Sequence, residues 1–198
     1  MRVALDSFQL VSERVLESIE VKRAILTDDR LMNLVHQATA TCIQALQCGG
    51  KLIFFGNGGS AADAQHLAAE LTGKYLRERK ALPALALTVN ASCLTAIGND
   101  YSYDQVFSRQ IEGLGRKGDV SVAISTSGNS ANVIAASRTA RRMGLTTIGM
   151  TGKSGGNLCS ETDICLCIPS DQTPRIQEAH ILLGHILCEI IEANFADN

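Results

Sequence analysis

Tryptophan is absent from this 198-residue chain and aromatics make up only 4% of it, so the core has to be assembled from leucine, isoleucine, valine and alanine. Neither sign of charge prevails. A formal net charge of −2 gives no field that would gather nucleic acid or an anionic membrane, and the expected ligand is a small molecule. The seven cysteines (Cys42, Cys48, Cys93, Cys159, Cys165, Cys167 and Cys188) contain no C-x-x-C pair. An odd set without paired spacing reads as reduced thiols in a reducing compartment, and Cys165 and Cys167 in "ICLCIP" share one strand face, a packing pattern. Charge interrupts "MRVALDSFQLVSERVLESIE" every few residues, so neither a signal peptide nor a membrane span is expected, and the location implied is cytoplasmic.

What is present is a change of rhythm. The first fifty residues carry two amphipathic helical patterns, from about Ser7 to Leu26 and from about Arg30 to Gln47, divided by "TDDR" and closed by "CGG". From "KLIFFG" onward, short apolar runs alternate with helical stretches. "SAADAQHLAAELTGKYL" is a helix with Ser60 at its cap, "PALALT" a strand, "YDQVFSRQIEGLG" a helix and "DVSVAIST" a strand. "SANVIAASRTARRMG" is a helix begun by Ser130, "TTIGMT" and "ICLCIP" are strands, and "TPRIQEAHILLGHILCEIIEANF" is a long closing helix with proline in its first turn. Strands without in/out alternation, separated by helices, predict an α/β fold: a three-layer αβα sandwich around a five-stranded parallel, doubly wound, Rossmann-like sheet. With no visible linker, one domain over 1–198 is expected, a helical hairpin at 1–49 preceding a core at 50–198.

In such sheets ligands gather where strand ends meet helix N-termini. "GNGGS" and "STSGNS" both fall there, and each would present backbone N–H groups and the positive end of a helix dipole to an anion. Ser125, Thr126, Ser127 and Ser130 add hydroxyl donors. Neither loop is a nucleotide fingerprint, because Ala61 stands where G-x-G-x-x-G needs its last glycine and no Walker sequence occurs. A phosphate monoester fits better.

His66 and Glu70, at i and i+4, share one helical face just behind the first loop, which makes half of a zinc site or a plain hydrogen-bonded pair. On the last helix Gln177, Ile181 and His185 form an i, i+4, i+8 row, Glu178 and His185 at i+7 are at least as well aligned, and Gln177 with His180 also fits. Spacing does not choose among them.

Taken together, "GNGGSAADAQHLAAELTG", "AIGNDY", "STSGNSANVI" and "RIQEAHILLGHIL" resemble the successive motifs of the phosphoheptose isomerases, a branch of the sugar isomerase (SIS) domain family. The resemblance runs over nearly the whole chain. It implies a homotetramer built partly through the N-terminal helices, and conversion of sedoheptulose 7-phosphate to D-glycero-D-manno-heptose 7-phosphate for the heptose of lipopolysaccharide. It further implies that Asn57, Gly58, Gly59, Asn99 and Asp100 line the sugar site, and that Ser125, Thr126, Ser127 and Ser130 hold the phosphate. His66, Glu70, Gln177 and His185 would form the set for one zinc ion per subunit. His180 and His36 then take structural roles.

Ketose–aldose conversion moves one proton from C1 to C2 and another between the two oxygens. A carboxylate suits the first transfer and an imidazole the second, which assigns Glu70 as base and His185 as acid, beside a Lewis-acid metal. An alternative from the same resemblance is a non-catalytic accessory protein that binds the replication initiator; those relatives lack the glutamate that this chain keeps as Glu70. A sugar-sensing regulatory module would add a DNA-binding helix-turn-helix, and none precedes the sheet. The basic run "KYLRERK" (Lys74 to Lys80) reads as a solvated helix end, and Arg138, Arg141 and Arg142 as surface.

Overall fold

A computed structural model of the chain describes residues 7–196; the expected domain limits at 1 and 198 lie outside the described residues. Two helices lead, α1 (Ser7–Leu26) and α2 (Asp29–Gln47), the second capped by Asp28, whose carboxylate accepts from the Leu31 amide. The remainder alternates as β1 (Leu52–Gly56), α3 (Gly59–Thr72), β2 (Ala84–Ala86), α4 (Ala91–Asp100), α5 (Ser108–Leu114), β3 (Val120–Ile124), α6 (Ala131–Arg142), β4 (Thr146–Thr151), β5 (Ile164–Cys167) and α7 (Thr173–Ala193).

The strands form one sheet in the order β2-β1-β3-β4-β5, and every neighbouring pair is parallel. Side chains on a strand point alternately to opposite faces. Leu52 and Phe54 of β1 accordingly join a core with α2, α3 and α7, whereas Ile53 and Phe55 join a second core with α5 and α6. Both faces are covered, as the strands' unbroken burial requires. The chain leaves β1 for β2 on one side and returns to β3 on the other, so β1 and β3 form the switch point. Gly56 and Ile124, their last residues, are register partners, and the two glycine loops therefore emerge side by side.

Several expectations need correction. Helix α3 begins at Gly59 with Gly58 at the cap position, so Ser60 lies inside the first turn. It also stops at Thr72, and the basic run that follows is no solvated helix end: the Arg79 side chain is fully buried against Glu192, 3.2 Å away. Finally, "ASCLTAIGND" forms a helix that the periodicity did not reveal, capped by Asn90, which accepts from the Cys93 amide. The stretch from Tyr103 to Gly115 in turn splits into one 3-10 turn and the short α5.

Candidate active site

The first loop turns sharply because Gly58 adopts φ 56°, a left-handed conformation that glycine enters without strain. Next to it, a Cβ on Gly59 would overlap the amide of Gln177 from α7. Absence of a side chain at Gly59 is thus what lets Gln177 reach the loop. Asn57 leans the other way: its Nδ2 donates to Asn132 Oδ1 at 2.8 Å, and Asn132 Nδ2 donates back to Asn57 Oδ1 at 2.9 Å. Tyr103 Oη donates to the same Asn57 oxygen at 3.1 Å. This reciprocal amide pair ties the first loop to the first turn of α6, behind the second loop.

In the second loop, Ser125 and Ser130 hydroxyls lie 3.1 Å apart. Because Ser130 makes no side-chain bond to the helix it begins, the opening amides of α6 remain available to an anion. Ser127 Oγ accepts from the Asn129 amide, and Asn129 Oδ1 accepts from the Asn157 amide. Gly128 sits at φ 65°, where a Cβ would overlap the Gly155 carbonyl. Thr126 carries the strand-end carbonyl that accepts from Gly152. The loop is held from several sides with its hydroxyls grouped.

Helices α3 and α7 approach closely because Gly184 offers no side chain: a Cβ there would stand 2.7 Å from Leu67. The next residue, His185, is thereby carried to His66. Their Nε2 atoms are 2.8 Å apart, the rings meet edge-on, and Glu70 Oε1 lies 3.3 Å from His66 Nε2. Tyr75 stacks on His185 at 5.6 Å between ring centroids. Tyr75 is itself fixed by the buried Glu192, which accepts from the amides of Tyr75, Leu76 and Arg77. Burial alone would raise the Glu192 carboxyl, but these three amides and Arg79 outweigh it and hold the group below the usual carboxylate range.

The other alignments on α7 point elsewhere. Glu178 pairs with Arg175 at 2.5 Å, and Arg175 reaches α1 through the Arg14 carbonyl. His180 is buried and bonds the Thr151 carbonyl of β4 at 3.1 Å. Asn99 and Asp100 pair with each other at the exposed end of α4, and no hydrogen bond from either reaches the loops among the described residues.

Asp63, Asn132 and Tyr103 were not marked by the sequence. Asp63 stands on α3 one turn before His66, buried, with Oδ2 lacking a partner among the described residues. Burial raises its pKa, while His66 and a hydrogen bond with Gln177 pull it down. The i, i+3 spacing within "GSAADAQH" was the available signal. Asn132 and Tyr103 had none, since their partner is distant in the chain.

Metal-ligand atoms converge here: His66, Glu70 and His185 each place one within 4.8 Å of the others. Two nitrogens on a tetrahedral zinc lie about 3.4 Å apart, so the imidazoles need to separate by only about half an ångström. Two imidazole nitrogens face to face require a proton or a cation between them, and the donor set fits a borderline divalent ion. A second group, Cys159, Cys165 and Cys167, also brings ligand atoms within 4.8 Å; the two strand cysteines do share a face, but with a third thiol beside them.

An open parallel sheet with two loop-to-helix turns at its switch point, and a nitrogen–carboxylate cluster between the helix that follows one of them and α7, defines a small-ligand domain of the doubly wound class. The family described as the SIS domain matches residues 17–152. Over 182 residues the chain is 51% identical to the phosphoheptose isomerase of Sulfurimonas denitrificans, covering 92% of this chain and 93% of that one. Among solved structures, a phosphoheptose isomerase from Neisseria gonorrhoeae, 46% identical, superposes with TM-score 0.88 over 93% of this chain and 98% of its own. One from Francisella tularensis, 36% identical, gives 0.92 over 96% and 100%. The chain belongs to the phosphoheptose isomerase family of SIS-domain proteins.

Proposed function

We propose that this protein is an aldose–ketose isomerase that converts D-sedoheptulose 7-phosphate to D-glycero-D-manno-heptose 7-phosphate through a cis-enediol. The observation that carries the reading is the convergence of His66, Glu70 and His185 from α3 and α7, the helix that follows the first glycine loop and the helix whose Gln177 reaches that loop. The phosphate is held by Ser125, Thr126, Ser127, Ser130 and the opening amides of α6. Asn57, Gly58, Gly59, Asn99, Asp100 and Gln177 line the sugar. Glu70 removes the carbon-bound proton and returns it to the neighbouring carbon, and His185 moves the proton between the two oxygens.

His66, Glu70, Gln177 and His185 would hold one zinc ion per subunit, which when bound supplies Lewis-acid stabilisation of the enediolate charge. A carboxylate bound to a metal would lose basicity, so Glu70 would act as base either with its ligation loosened or with the metal in a partly structural role. The product feeds the ADP- or GDP-heptose precursors of lipopolysaccharide.

The assembly is a homotetramer of single SIS domains, 1–198, with the hairpin at 1–49 and the core at 50–198. Support comes from α1, where only Ile25 is buried while Val11, Val15 and Leu16 are exposed by more than half; such an apolar face suits a second copy. A cytoplasmic location without nucleic-acid or membrane partners belongs to the same reading, and the near-neutral charge gives no field to gather a polyanion or an anionic surface.

The test is purified protein incubated with sedoheptulose 7-phosphate, with and without chelator, followed by NMR of the sugar. Aldose formation that chelator stops and zinc restores is expected. No aldose even with added zinc would overturn the reading in favour of an accessory protein that binds the replication initiator.

A further inference from the structure

The opposite edge of the sheet carries a second cluster of donor side chains. Cys165 and Cys167 leave one face of β5, and Cys159 comes from the short 3-10 turn (Cys159–Glu161) just before that strand. Cys165 and Cys167 Sγ are 3.7 Å apart, and all three sulfurs lie within 4.8 Å of one another. Two thiolates bound tetrahedrally at about 2.3 Å stand about 3.8 Å apart. The strand pair already has that spacing, and Cys159 needs to close by about an ångström at most.

Glycine lets the loop pack against two of these cysteines: a Cβ on Gly155, at φ 72°, would stand 2.9 Å from Cys159 Cβ, 3.3 Å from Cys159 Sγ and 3.4 Å from Cys167 Sγ, so a side chain there would crowd both. A cavity of about 390 Å³ opens beside the cluster, lined also by Asp28, Arg30, Lys153 and Asp163. The two acids are already engaged. Asp28 caps α2, and Asp163 Oδ2 accepts from the Thr147 amide and hydroxyl. That leaves the three sulfurs as the donor set, with the cavity open to a fourth ligand.

We propose that Cys159, Cys165 and Cys167 form a three-thiolate site for a soft closed-shell cation of the zinc(II) or cadmium(II) class, distinct from the nitrogen and carboxylate cluster between α3 and α7. Three S–H protons pass to solvent as three metal–sulfur bonds form, with no change of oxidation state. The bound unit carries one net negative charge, which Arg30 and Lys153 in the cavity wall offset. Zinc(II) suits both donor sets, but three thiolates favour the softer cadmium(II) over what the His66–Glu70–His185 set offers, so cadmium separates the two sites chemically.

The reduced, chelator-treated full-length protein is titrated with cadmium(II) under inert gas, following thiolate-to-cadmium absorption and pulse alkylation mapped by mass spectrometry. One equivalent is expected to produce the band and to slow alkylation of Cys159, Cys165 and Cys167 by about tenfold or more relative to metal-free protein. The band should persist in His66→Asn and vanish in Cys159→Ser and Cys167→Ser. The protection map is read on the unaltered chain, so it decides the matter even if a serine variant fails to fold. The proposal is overturned by absence of the band at one equivalent, by protection falling on Cys42, Cys48, Cys93 or Cys188 instead, or by a Cys159 disulfide whose reduced form takes up no cadmium.

Discussion

His66 and His185 are 119 positions apart in the chain and meet Nε2 to Nε2 at 2.8 Å. Neither nitrogen can be a free acceptor and a free donor to the other at once, so this pair is resolved by one shared proton or by a cation. Glu70, 3.3 Å from the same His66 nitrogen, completes a set in which acid and base adjoin the metal position. Replacing Glu70 by Gln or His185 by Ala is expected to lower kcat by about 10²–10⁴-fold, the range for a lost general acid or base. Circular dichroism and melting should stay near the parent's, since both residues are half-buried rather than part of the core. Activity within about threefold of the parent would refute these roles, because such a loss is under 1 kcal/mol of barrier.

Gly59 tests whether Gln177 matters to the site. The backbone there is not left-handed, and a Cβ would meet only the flexible end of Gln177. Gly59→Ala should therefore fold normally while expelling the Gln177 amide from the loop. A fall in kcat/KM of about tenfold or more, equal to about 1.4 kcal/mol of transition-state stabilisation, is the expected result. Unchanged kcat/KM with an unchanged melting temperature would remove Gln177 from the site.

Glu192 is buried with Arg79 and three backbone amides. Glu192→Ala leaves Arg79 charged and unpaired in the interior, a loss of about 3–5 kcal/mol in typical buried pairs. Replacing both residues by Met should recover part of that loss, because the stranded charge is gone. Denaturant titration of the single and double variants measures the difference; a single variant within 1 kcal/mol of the parent, on the scale of an exposed pair, would contradict the burial.

How far the chain could be read follows from the range of each interaction. The strands β1, β3 and β4 and the helices α1, α2 and α7 were legible because their signals are local: apolar runs, periodicity, caps. His66 with Glu70 was legible for the same reason. The partners on α7 were not, since Gln177 with His185, Glu178 with His185 and Gln177 with His180 all fit a helix, and what separates them lies on other elements: Gln177 reaches Gly59, Glu178 pairs with Arg175, and Gly184 against Leu67 carries His185 to His66. Likewise "KYLRERK" looks like a solvated helix end until Glu192, more than a hundred residues later, draws its amides and Arg79 inward. The pair Asn57–Asn132 leaves no trace in either loop's sequence, because each amide is satisfied only by the other.

His180 provides a prediction in pH. Its Nε2 bonds the Thr151 carbonyl, its Nδ1 has no partner among the described residues, and burial pushes the imidazole from 6.5 down to about 4, the backbone bond opposing this only in part. Nε2 therefore donates its proton to the carbonyl, and Nδ1 is a buried lone pair with no acceptor beside it for a second proton among the described residues. The unfolded chain takes up that proton below about pH 6.5 while the folded chain declines it until about pH 4. Unfolding is thus favoured progressively as pH falls through that window, and stability is regained on raising it. At pH 5 the contribution is about 2 kcal/mol, at 1.36 kcal/mol per unit of pKa displacement. His180→Gln keeps an Nε2 donor for Thr151 but does not titrate, so the stability difference between parent and variant should shift in the variant's favour by that amount from pH 7.5 to pH 5. Carboxylates protonate in both proteins and cancel from the difference. Parallel stability curves over this range would show that the folded protein accepts the proton at His180 as readily as the unfolded chain does.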